Sequence, residues 1–355
     1  MSGGTVRFRR MLLLLDGNNL AWAGYYGLER AMKPEDAERR HRVALLGLSS
    51  MALGAIARAG EPPATAPAKP GGQTSLFDER PSSAGGEARA ISRVAVCFDQ
   101  GRPLRRRELF PAYQTGREGD PKFIENEPTI LAAIDELAEM CAAMLPIEVL
   151  RGQNTEADDL IAGLVHHNPK VEKRIVSTDR DFLQLIGPKT TVYAPVKKVV
   201  IGEENFDAEA MPKTSSGEIV TFPRTRFLDY RALTGDPSDN LPGVLGIGPL
   251  SAAKLLAVGD LDGYFGKPHA VRAALGRKSV AVEAAFADGT AEAIVARNRT
   301  LMDLRLGAPC WDDLPSYTTS GRWDRPAFEA WLDERKITSV ERAPLFERME
   351  ALARA

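Results

Sequence analysis

The chain has 355 residues, 44% of them hydrophobic and 26% charged, so it can bury a globular core of one or two domains and is not a disordered chain. Its formal net charge of -2 differs from the strongly basic balance of many nucleic-acid-binding domains. Cys97, Cys141 and Cys310 lack the number and spacing of a disulfide framework or a zinc site, so we expect reduced, mostly buried thiols.

The first apolar run of the chain is short. Met11 to Leu15 are apolar and are followed at once by Asp16, which is too short a run for a secretory signal or a membrane span. We therefore expect a cytoplasmic protein without membrane association.

Three apolar runs end in aspartate, and each is predicted to be a strand. They are "MLLLLDG" at Asp16, "VAVCFDQG" at Asp99 and "RIVSTDRD" at Asp179 and Asp181. Continuous Val, Ile and Leu runs are typical of strands buried on both faces of a parallel α/β sheet. Functional groups gather at the carboxyl ends of such strands, so we expect these aspartates to converge. A single strand-end aspartate more often caps a helix or makes a turn, but the repetition favours a site.

Helical patterns lie between these strands. Apolar residues recur at helical spacing from Glu127 to Met144. A second helix is predicted after Thr155, in "EADDLIAGLVHH", because Thr155 followed three residues later by Asp158 is typical of an N-cap. The alternation predicts an α/β fold with a central, mostly parallel sheet flanked by helices.

Residues 58–90 interrupt this pattern. Pro, Gly, Ala and Ser dominate the segment, which predicts a disordered insertion. Its apolar island "QTSLF", with Gln73, Leu76 and Phe77, resembles the short motif by which bacterial replication proteins bind the sliding clamp. The alternative is a chance cluster or a contact with the body of the protein.

The chain changes character beyond Phe206. "RTRFLDYRALTG" is predicted to be helical and leads into "DPSDNLPGVLGIGPLSAAKLL". Two short amphipathic helices are predicted near the end, around Phe328 to Arg335 and Leu345 to Ala353.

Acidic residues at the strand ends, in the helix after Thr155 and in "GDPSDN" form one candidate cluster. Its members are Asp16, Asp99, Glu156, Asp158, Asp159, Asp179, Asp181, Asp236 and Asp239. So many carboxylates raise one another's pKa unless cations lie between them. Hard divalent ions with oxygen ligands meet that need, and a pair of them stabilises both the attacking and the leaving oxygen of a phosphoryl displacement.

Five segments in chain order resemble the motifs of the 5′ nuclease family. They are "DGNNL", "VCFDQG", "TEADDLIAGL", "STDRDFLQL" and "DYRALTGDPSDNLPGVLGIGPLSAAKLL". The family includes the N-terminal domain of bacterial DNA polymerase I, phage 5′–3′ exonucleases and flap endonucleases, and the resemblance runs from Asp16 to about Leu304. It implies a PIN-like nuclease core over 1–223, with an arch or gateway over 100–125, a helix-hairpin-helix (H3TH) subdomain over 224–305 and a helical C-terminal extension over 306–355.

The resemblance also implies roles for the acidic residues. Asp16, Asp99, Glu156 and Asp158 would hold a first metal ion. A second ion would be held or oriented by Asp179, Asp181, Asp236 and Asp239, with Asp159 acting through water. The expected cofactors are two Mg²⁺ ions, with Mn²⁺ as a substitute.

A glycine-rich turn is the predicted duplex-binding element. Gly243, Gly246 and Gly248 allow backbone N–H groups to approach a phosphate at a helix N-terminus, with Lys254 in the helix that follows. In the family such a hairpin often coordinates K⁺ and holds duplex DNA without reading its sequence.

The gateway segment combines basic and aromatic residues, as expected of a single-strand channel. Its candidate DNA-binding residues are Arg105, Arg106, Arg107, Tyr113, Gln114 and Arg117. The family typically has a lysine, in contact with the scissile phosphate, where this chain has Gln114. Our hypothesis is that an arginine of 105–107 takes over part of that role.

The resulting hypothesis is a structure-specific 5′–3′ exonuclease or flap endonuclease of replication or repair. Its expected partners are DNA with 5′ ends or flaps, RNA–DNA hybrids and a sliding clamp, and we expect a monomer. A catalytically weak DNA-structure-binding factor is the alternative that Gln114 motivates. A PIN-type ribonuclease shares the acidic site but lacks the hairpin and the arch.

Overall fold

The fold is taken from a computed structural model, which describes residues 10–59, 90–306 and 311–355. The predicted insertion at 58–90, with the clamp-like Gln73, Leu76 and Phe77, therefore lies almost entirely outside the described residues, as does Cys310. Cys97 and Cys141 are buried free thiols, as expected. In the described part, no helix has the length and apolarity needed to span a bilayer.

The main sheet has the strand order β6-β5-β4-β1-β2-β3-β9. Its central strands β5, β4, β1, β2 and β3 run parallel, and the edge strands β6 and β9 pair antiparallel with their neighbours. The strand bounds are β1 Arg10–Asp16, β2 Ala90–Phe98, β3 Glu148–Arg151, β4 Glu172–Val176, β5 Thr190–Ala194, β6 Val199–Ile201, β7 Gly235–Asp236, β8 Leu241–Pro242 and β9 Thr318–Ser320. The predicted α/β architecture with a mostly parallel sheet is confirmed.

Helices cover both faces of this sheet and build the second half of the chain. Their bounds are α1 Gly17–Met32, α2 Ala37–Arg58, α3 Leu104–Leu109, α4 Thr115–Glu118, α5 Pro121–Met144, α6 Ala157–His167, α7 Phe206–Ala210, α8 Phe227–Thr234, α9 Pro249–Val258, α10 Pro268–Leu275, α11 Val280–Ala287, α12 Thr290–Met302, α13 Arg325–Glu334 and α14 Arg342–Ala353.

The apolar run of β1 is continuous because both of its faces are buried. Leu12 and Leu14 belong to one core cluster, which includes Leu160 of α6. Leu13 and Leu15 belong to another, which includes residues of α1, α2 and α5 such as Leu137. Alternate side chains of a strand point to opposite faces, so a strand between two helical layers needs apolar residues at every position.

The order of the strands determines where the strand-end carboxylates meet. β1 lies between β2 and β4 and pairs parallel with both. Asp16 ends β1, Asp99 follows β2, and Asp179 comes three residues after Val176, the last residue of β4. Parallel strands present their carboxyl ends at one edge, so these groups share that edge, with α6 beginning beside it.

Two predicted helix starts differ from the structure. The helix predicted from Glu127 begins at Pro121, because the Asp120 side chain accepts the Lys122 N–H at 2.9 Å and Pro121 suits a first helical position. The N-cap predicted at Thr155 is wrong: the capping position of α6 is Glu156, and the Thr155 hydroxyl donates to the Gln153 carbonyl instead.

The C-terminal segment returns to the half of the chain that contains the main sheet. β9 pairs with β3 at the edge of the main sheet, and α14 packs against α2 and β2. Both helices predicted near the end are present, as α13 and α14. The domain boundaries at 223 and 305 stay predictions.

Candidate active site

Asp16 is a buried carboxylate at the end of the central strand. It is 3% exposed, caps α1 by accepting the Asn19 N–H at 3.1 Å, and accepts the Ser177 hydroxyl at 2.8 Å. Burial, followed by repulsion from Asp99, raises the pKa of Asp16 to about 7. The fold therefore places a negative charge where it is unfavourable unless a cation balances it.

Asp99 connects the end of β2 to the start of α6. Its Oδ1 accepts the Ala157 N–H at 2.7 Å, which satisfies one of the free N–H groups at the helix N-terminus. Its own N–H donates to Asn18 Oδ1 at 3.0 Å. Burial raises the pKa of Asp99, although the Ala157 N–H opposes the shift.

Asp158 and Asp179 face each other across the edge of the sheet. Asp158 lies in the first turn of α6, and Asp179 Oδ1 accepts the Asp181 N–H at 2.7 Å. Burial raises the pKa of both carboxyls well above its usual range, and mutual repulsion adds to the shift of Asp158. Asp16 repels both groups, so the three belong to one electrostatic cluster.

Arg231 of α8 neutralises the neighbouring pair Asp181 and Asp236. Its Nε lies 2.6 Å from Asp181 Oδ1, and its Nη2 pairs with Asp236. The pKa of Asp181 is still raised by burial, which Arg231 only partly offsets. At Asp236 burial is outweighed by hydrogen bonds from Ser238 and by Arg231, so its pKa is lowered. This side of the cluster already holds a positive charge.

Arg106 of α3 occupies an equivalent place on the other side. Its Nη1 pairs with Glu156, and Nη1 and Nη2 contact the two oxygens of Asp159 at 2.8 and 2.9 Å. Its Nε donates to the Leu301 carbonyl at 3.0 Å. Burial raises the pKa of Glu156 to about 7 even though Arg106 lowers it.

The end of the gateway is hydrogen-bonded to Asp239. Gln114 N–H donates to the Asp239 carbonyl at 2.9 Å, and Gln114 Nε2 lies 3.2 Å from Asp239 Oδ1 and 2.9 Å from Glu156 Oε1. Tyr113 Oη lies 3.2 Å from Asp239 Oδ2, and Arg117 Nη2 lies 2.8 Å from Asp239 Oδ1. Burial raises the pKa of Asp239, opposed by Arg117. The predicted DNA-binding residues Tyr113, Gln114 and Arg117 thus adjoin the acidic cluster.

The nine predicted carboxylates divide into two sets. Three arginines make ion pairs with one set, which is Glu156, Asp159, Asp181, Asp236 and Asp239. The other set consists of Asp16, Asp99, Asp158 and Asp179. Asp16, Asp99 and Asp179 accept hydrogen bonds from backbone N–H groups, and Asp16 also accepts one from a hydroxyl. Asp158 has other carboxylates as its charged neighbours. In the second set, arginines oppose the pKa shift of Asp99, whereas carboxylates are the charges that act on Asp16 and Asp158.

The chemistry of this second set fits a hard divalent cation. All its donors are carboxylate oxygens, which Mg²⁺ and Mn²⁺ prefer. Burial raises the pKa of all four carboxyls, and neighbouring carboxylates add to the shift of Asp16, Asp158 and Asp179. Within 10–59, 90–306 and 311–355, no group of three or more His, Cys, Asp or Glu side chains is arranged to hold a metal ion.

The hairpin glycines differ in what surrounds them. A Cβ on Gly243 would lie 2.4 Å from the Leu233 carbonyl oxygen, so this glycine allows the close approach of α8. Gly246 has a φ of 82°, which favours glycine. A Cβ on Gly248 would meet nothing within 4 Å. Lys254, on α9, is exposed.

The remaining predicted residues are spread over the gateway. Arg105 is exposed and Arg107 half-buried, whereas Arg106 faces the acidic cluster. Three residues of the site were not predicted from the sequence. Arg231 pairs with Asp181, and the Ser177 hydroxyl donates to Asp16. The side-chain oxygen of Asn19 accepts the Thr178 N–H at 2.8 Å. The polar pair Asn18 and Asn19, separated from the strand-end Asp16 only by Gly17, was an available signal.

Family models match most of this architecture. The model of the 5′-3′ exonuclease N-terminal resolvase-like domain matches residues 86–211. The model of the 5′-3′ exonuclease C-terminal SAM fold matches residues 222–321. The two matches follow one another and include every predicted acidic residue except Asp16.

Curated relatives include bacterial DNA polymerases. DNA polymerase I of Mycobacterium tuberculosis is 31% identical over 351 residues, covering 97% of this chain and 32% of the polymerase. The thermostable DNA polymerase I of Thermus thermophilus is 36% identical over 165 residues, covering 46% of this chain and 18% of that protein. The chain thus spans about a third, or less, of the length of these relatives.

Solved structures with the same fold come from bacteriophage T5. A T5 protein co-crystallised with metal ions has a TM-score of 0.56 and 16% identity, covering 96% of this chain and 99% of that chain. A T5 flap endonuclease in a complex with DNA and metal ions has a TM-score of 0.55 and 16% identity, covering 96% of this chain and 100% of that chain. At this identity the likeness shows the fold.

Proposed function

The chain belongs to the 5′-3′ exonuclease family, and from that premise we propose that it is a metal-dependent, structure-specific nuclease. It hydrolyses DNA phosphodiesters near 5′ ends and at flaps. The observation that carries the proposal is the convergence of four carboxylates at one edge of the sheet, the buried Asp16 and the half-buried Asp99, Asp158 and Asp179. Divalent cations would compensate that charge and would in turn attract the anionic phosphate of a substrate.

The residues of the site would divide the work of phosphodiester hydrolysis. Asp16, Asp99, Glu156 and Asp158 would hold a first divalent ion, and Asp179, Asp181, Asp236 and Asp239 would hold or orient a second. Two such ions, when bound, supply Lewis-acid stabilisation of the attacking and leaving oxygens and an activated water. Arg117 would orient the phosphate next to the carboxylates, because its guanidinium already lies beside Asp239.

The surrounding elements would select the substrate. The gateway residues Arg105 and Arg107 would attract a 5′ single strand, and the hairpin from Gly243 to Gly248 would hold the adjoining duplex through backbone N–H groups. The resemblance to the 5′ nuclease family supports Mg²⁺ as the metal, with Mn²⁺ as a substitute, and K⁺ at the hairpin. The same resemblance supports a role in DNA replication or repair. Action on RNA–DNA hybrids, clamp binding through Gln73, Leu76 and Phe77, and a monomeric state stay predictions.

The test is a cleavage assay on a 5′-labelled flap duplex. We expect cleavage near the flap junction with Mg²⁺ and none with EDTA. The variant Asp158→Asn should bind the duplex but not cleave it, because it loses one of the carboxylates that would bind metal. Cleavage that survives EDTA or the Asp158→Asn substitution would contradict metal-dependent catalysis at this site.

A second candidate is a DNA-structure-binding factor with little catalytic power. The neutral amide of Gln114, beside Glu156 and Asp239, favours it because this position supplies no charge to a phosphate. Tight binding of the flap duplex without cleavage, in Mg²⁺ and Mn²⁺ alike, would favour this candidate over the nuclease.

A further inference from the structure

The guanidinium of Arg106 is buried in the site, whereas the neighbouring Arg105 on the same short helix α3 is exposed. Arg106 is 7% exposed. Its N–H groups make four contacts with oxygens of Glu156, Asp159 and Leu301. A guanidinium has five N–H donors in a fixed plane, so nearly all of its binding capacity is used within the protein.

These contacts connect three parts of the chain. Arg106 lies on α3 in the gateway, Glu156 and Asp159 lie at the start of α6, and Leu301 lies near the end of α12. The hydrogen bond to Leu301 spans 195 residues of sequence. One side chain therefore fixes the gateway relative to both the acidic cluster and the helical half of the chain.

Glu156 connects the gateway to the acidic cluster by hydrogen bonds from three gateway residues. One of its oxygens pairs with Arg106, and the other lies 2.9 Å from Gln114 Nε2 and 3.3 Å from Tyr113 Oη. Both oxygens are therefore bonded to gateway residues. The position of this carboxylate and the position of the gateway depend on each other.

We propose that Arg106 is a positioning residue, an internal counterion that fastens the gateway to the acidic site through Glu156 and Asp159, and that it does not bind phosphate. The inference rests on the proposed function, because it assigns the site a task on DNA. Moving Arg106 onto a phosphate would take the ion-pair partner away from the buried Glu156 and the half-buried Asp159, which is strongly unfavourable. The missing gateway charge at Gln114 would then have to come from another residue, and Arg105 is exposed and adjacent in sequence.

The first test is the salt dependence of binding to a flap duplex in EDTA. A side chain that neutralises one phosphate contributes about 0.7 to 0.9 to the slope of log K against log salt concentration. We expect Arg106→Gln to leave the slope of the wild-type protein unchanged. Arg105→Gln is the matched control, which removes the same charge from an exposed position of α3, and it should lower the slope. A fall in slope for Arg106→Gln of about 0.7 or more would overturn the proposal.

The second test measures the position of the gateway and the metal site. Hydrogen exchange of the amides of residues 104–117, without DNA, should be faster in Arg106→Gln than in the wild type, and unchanged in Arg105→Gln. The Mg²⁺ concentration for half-maximal cleavage should rise and kcat should fall by about 10- to 100-fold, with less change in KM, as for other residues that orient ligands. Unchanged exchange in Arg106→Gln would also overturn the proposal.

A conservative variant covers the case in which Arg106→Gln does not fold. Arg106→Lys keeps the buried charge but cannot bond Glu156, both Asp159 oxygens and Leu301 together. Arg106→Lys should fold and should keep the wild-type slope of log K against log salt concentration. Hydrogen exchange of its gateway amides should be faster than in the wild type and slower than in Arg106→Gln. A salt slope reduced like that of Arg105→Gln would refute the positioning role. The exchange and salt measurements need no catalysis, so they remain readable if the protein proves not to be a nuclease.

Discussion

The side-chain N–H of Gln114 donates a hydrogen bond to Glu156 Oε1, with 2.9 Å between nitrogen and oxygen. A neutral amide is therefore bonded to a buried carboxyl group whose pKa is raised to about 7. Glu156 also faces Asp99, Asp159 and Asp239, with Arg106 as a nearby opposing charge. The positive charges of the gateway reach the cluster through Arg106 and Arg117, whereas position 114 contributes only an uncharged amide.

Replacing Gln114 by lysine should change catalysis more than folding. The ammonium would reach the same carboxylates and supply a charge to a bound phosphate, so we expect kcat for flap cleavage to rise by about 10-fold or more. The concentration of Mg²⁺ for half-maximal cleavage should rise as well, because the added charge repels the metal. Gln114→Met, with similar length but neither amide nor charge, is the control and should lower kcat. If Gln114→Lys leaves kcat unchanged, another residue already supplies the missing charge.

Asp99 has two separable tasks, as a cap of α6 and as a charge of the site. Asp99→Asn keeps an oxygen that can accept the Ala157 N–H but removes a buried like charge, so its free energy of unfolding in EDTA should equal or exceed that of the wild type. Asp99→Ala also removes the cap and should be less stable than the asparagine variant by about 1 kcal/mol. Both variants should lose cleavage. Equal denaturant midpoints for the two would show that the cap contributes nothing.

Arg231 should be essential to stability when metal is absent. Arg231→Gln leaves Asp181 and Asp236 without their common cation in a largely buried place, and breaking such a pair costs about 3 to 5 kcal/mol. The double variant Arg231→Gln with Asp236→Asn removes one of the stranded charges and should recover part of the loss. Urea unfolding in EDTA measures both effects. A loss below about 1 kcal/mol, the value of a surface pair, would contradict this assignment.

Gly243 and Gly248 should separate folding from DNA binding. Gly243→Ala would force the backbone near Leu233 to move, so its melting temperature should fall. Gly248→Ala has room for its methyl group and should keep the wild-type melting temperature. If the hairpin approaches a phosphate, Gly248→Ala should still weaken duplex binding. Unchanged duplex affinity in Gly248→Ala would place the phosphate elsewhere.

Stabilisation by Mg²⁺ should increase with pH. The pKa values of Asp16 and Glu156 are raised to about 7, so in EDTA the folded state holds protons that the unfolded state has lost. Their contribution to stability is therefore present at acid pH and is lost as pH rises through about 7. Mg²⁺ would compete with these protons and replace them.

Calorimetry with and without Mg²⁺ checks this prediction. The rise in melting temperature on adding Mg²⁺ should be larger at about pH 8 than at about pH 5.5, because fewer protons then compete for the carboxylates. Measuring the gain from Mg²⁺ at each pH removes the pH dependence of groups that titrate alike with and without the metal. Asp158→Asn should reduce the gain at high pH. A gain that does not vary with pH would argue against binding at Asp16 and Glu156.

The sheet and its acidic edge were predictable because they depend on local patterns. A continuous apolar run such as that of β1 specifies a strand buried on both faces, and parallel pairing then brings strand ends together. Asp16, Asp99 and Asp179 could therefore be placed at one edge without any knowledge of their neighbours.

The partners of these residues were not predictable, because they depend on contacts between distant parts of the chain. A run of three arginines does not indicate which member faces inward, and the carbonyl that Arg106 bonds lies 195 residues away. The side chain that accepts an N–H group at the start of α6 is likewise not local, since Asp99 bonds the Ala157 N–H across 58 residues. Sequence spacing suggested Thr155, and tertiary structure overrode it.

The packing of α14 on α2 has a consequence for the order in which the protein folds. Arg348 donates to the Ala59 carbonyl at 2.5 Å across 289 residues, and Ser50 bonds Ser339 over the same separation. Contacts of such long range are entropically costly to close and form late. During synthesis this face of α2 stays uncovered until α14 has been made, so the apolar residues of α2 that share a core cluster with α14 are exposed until then.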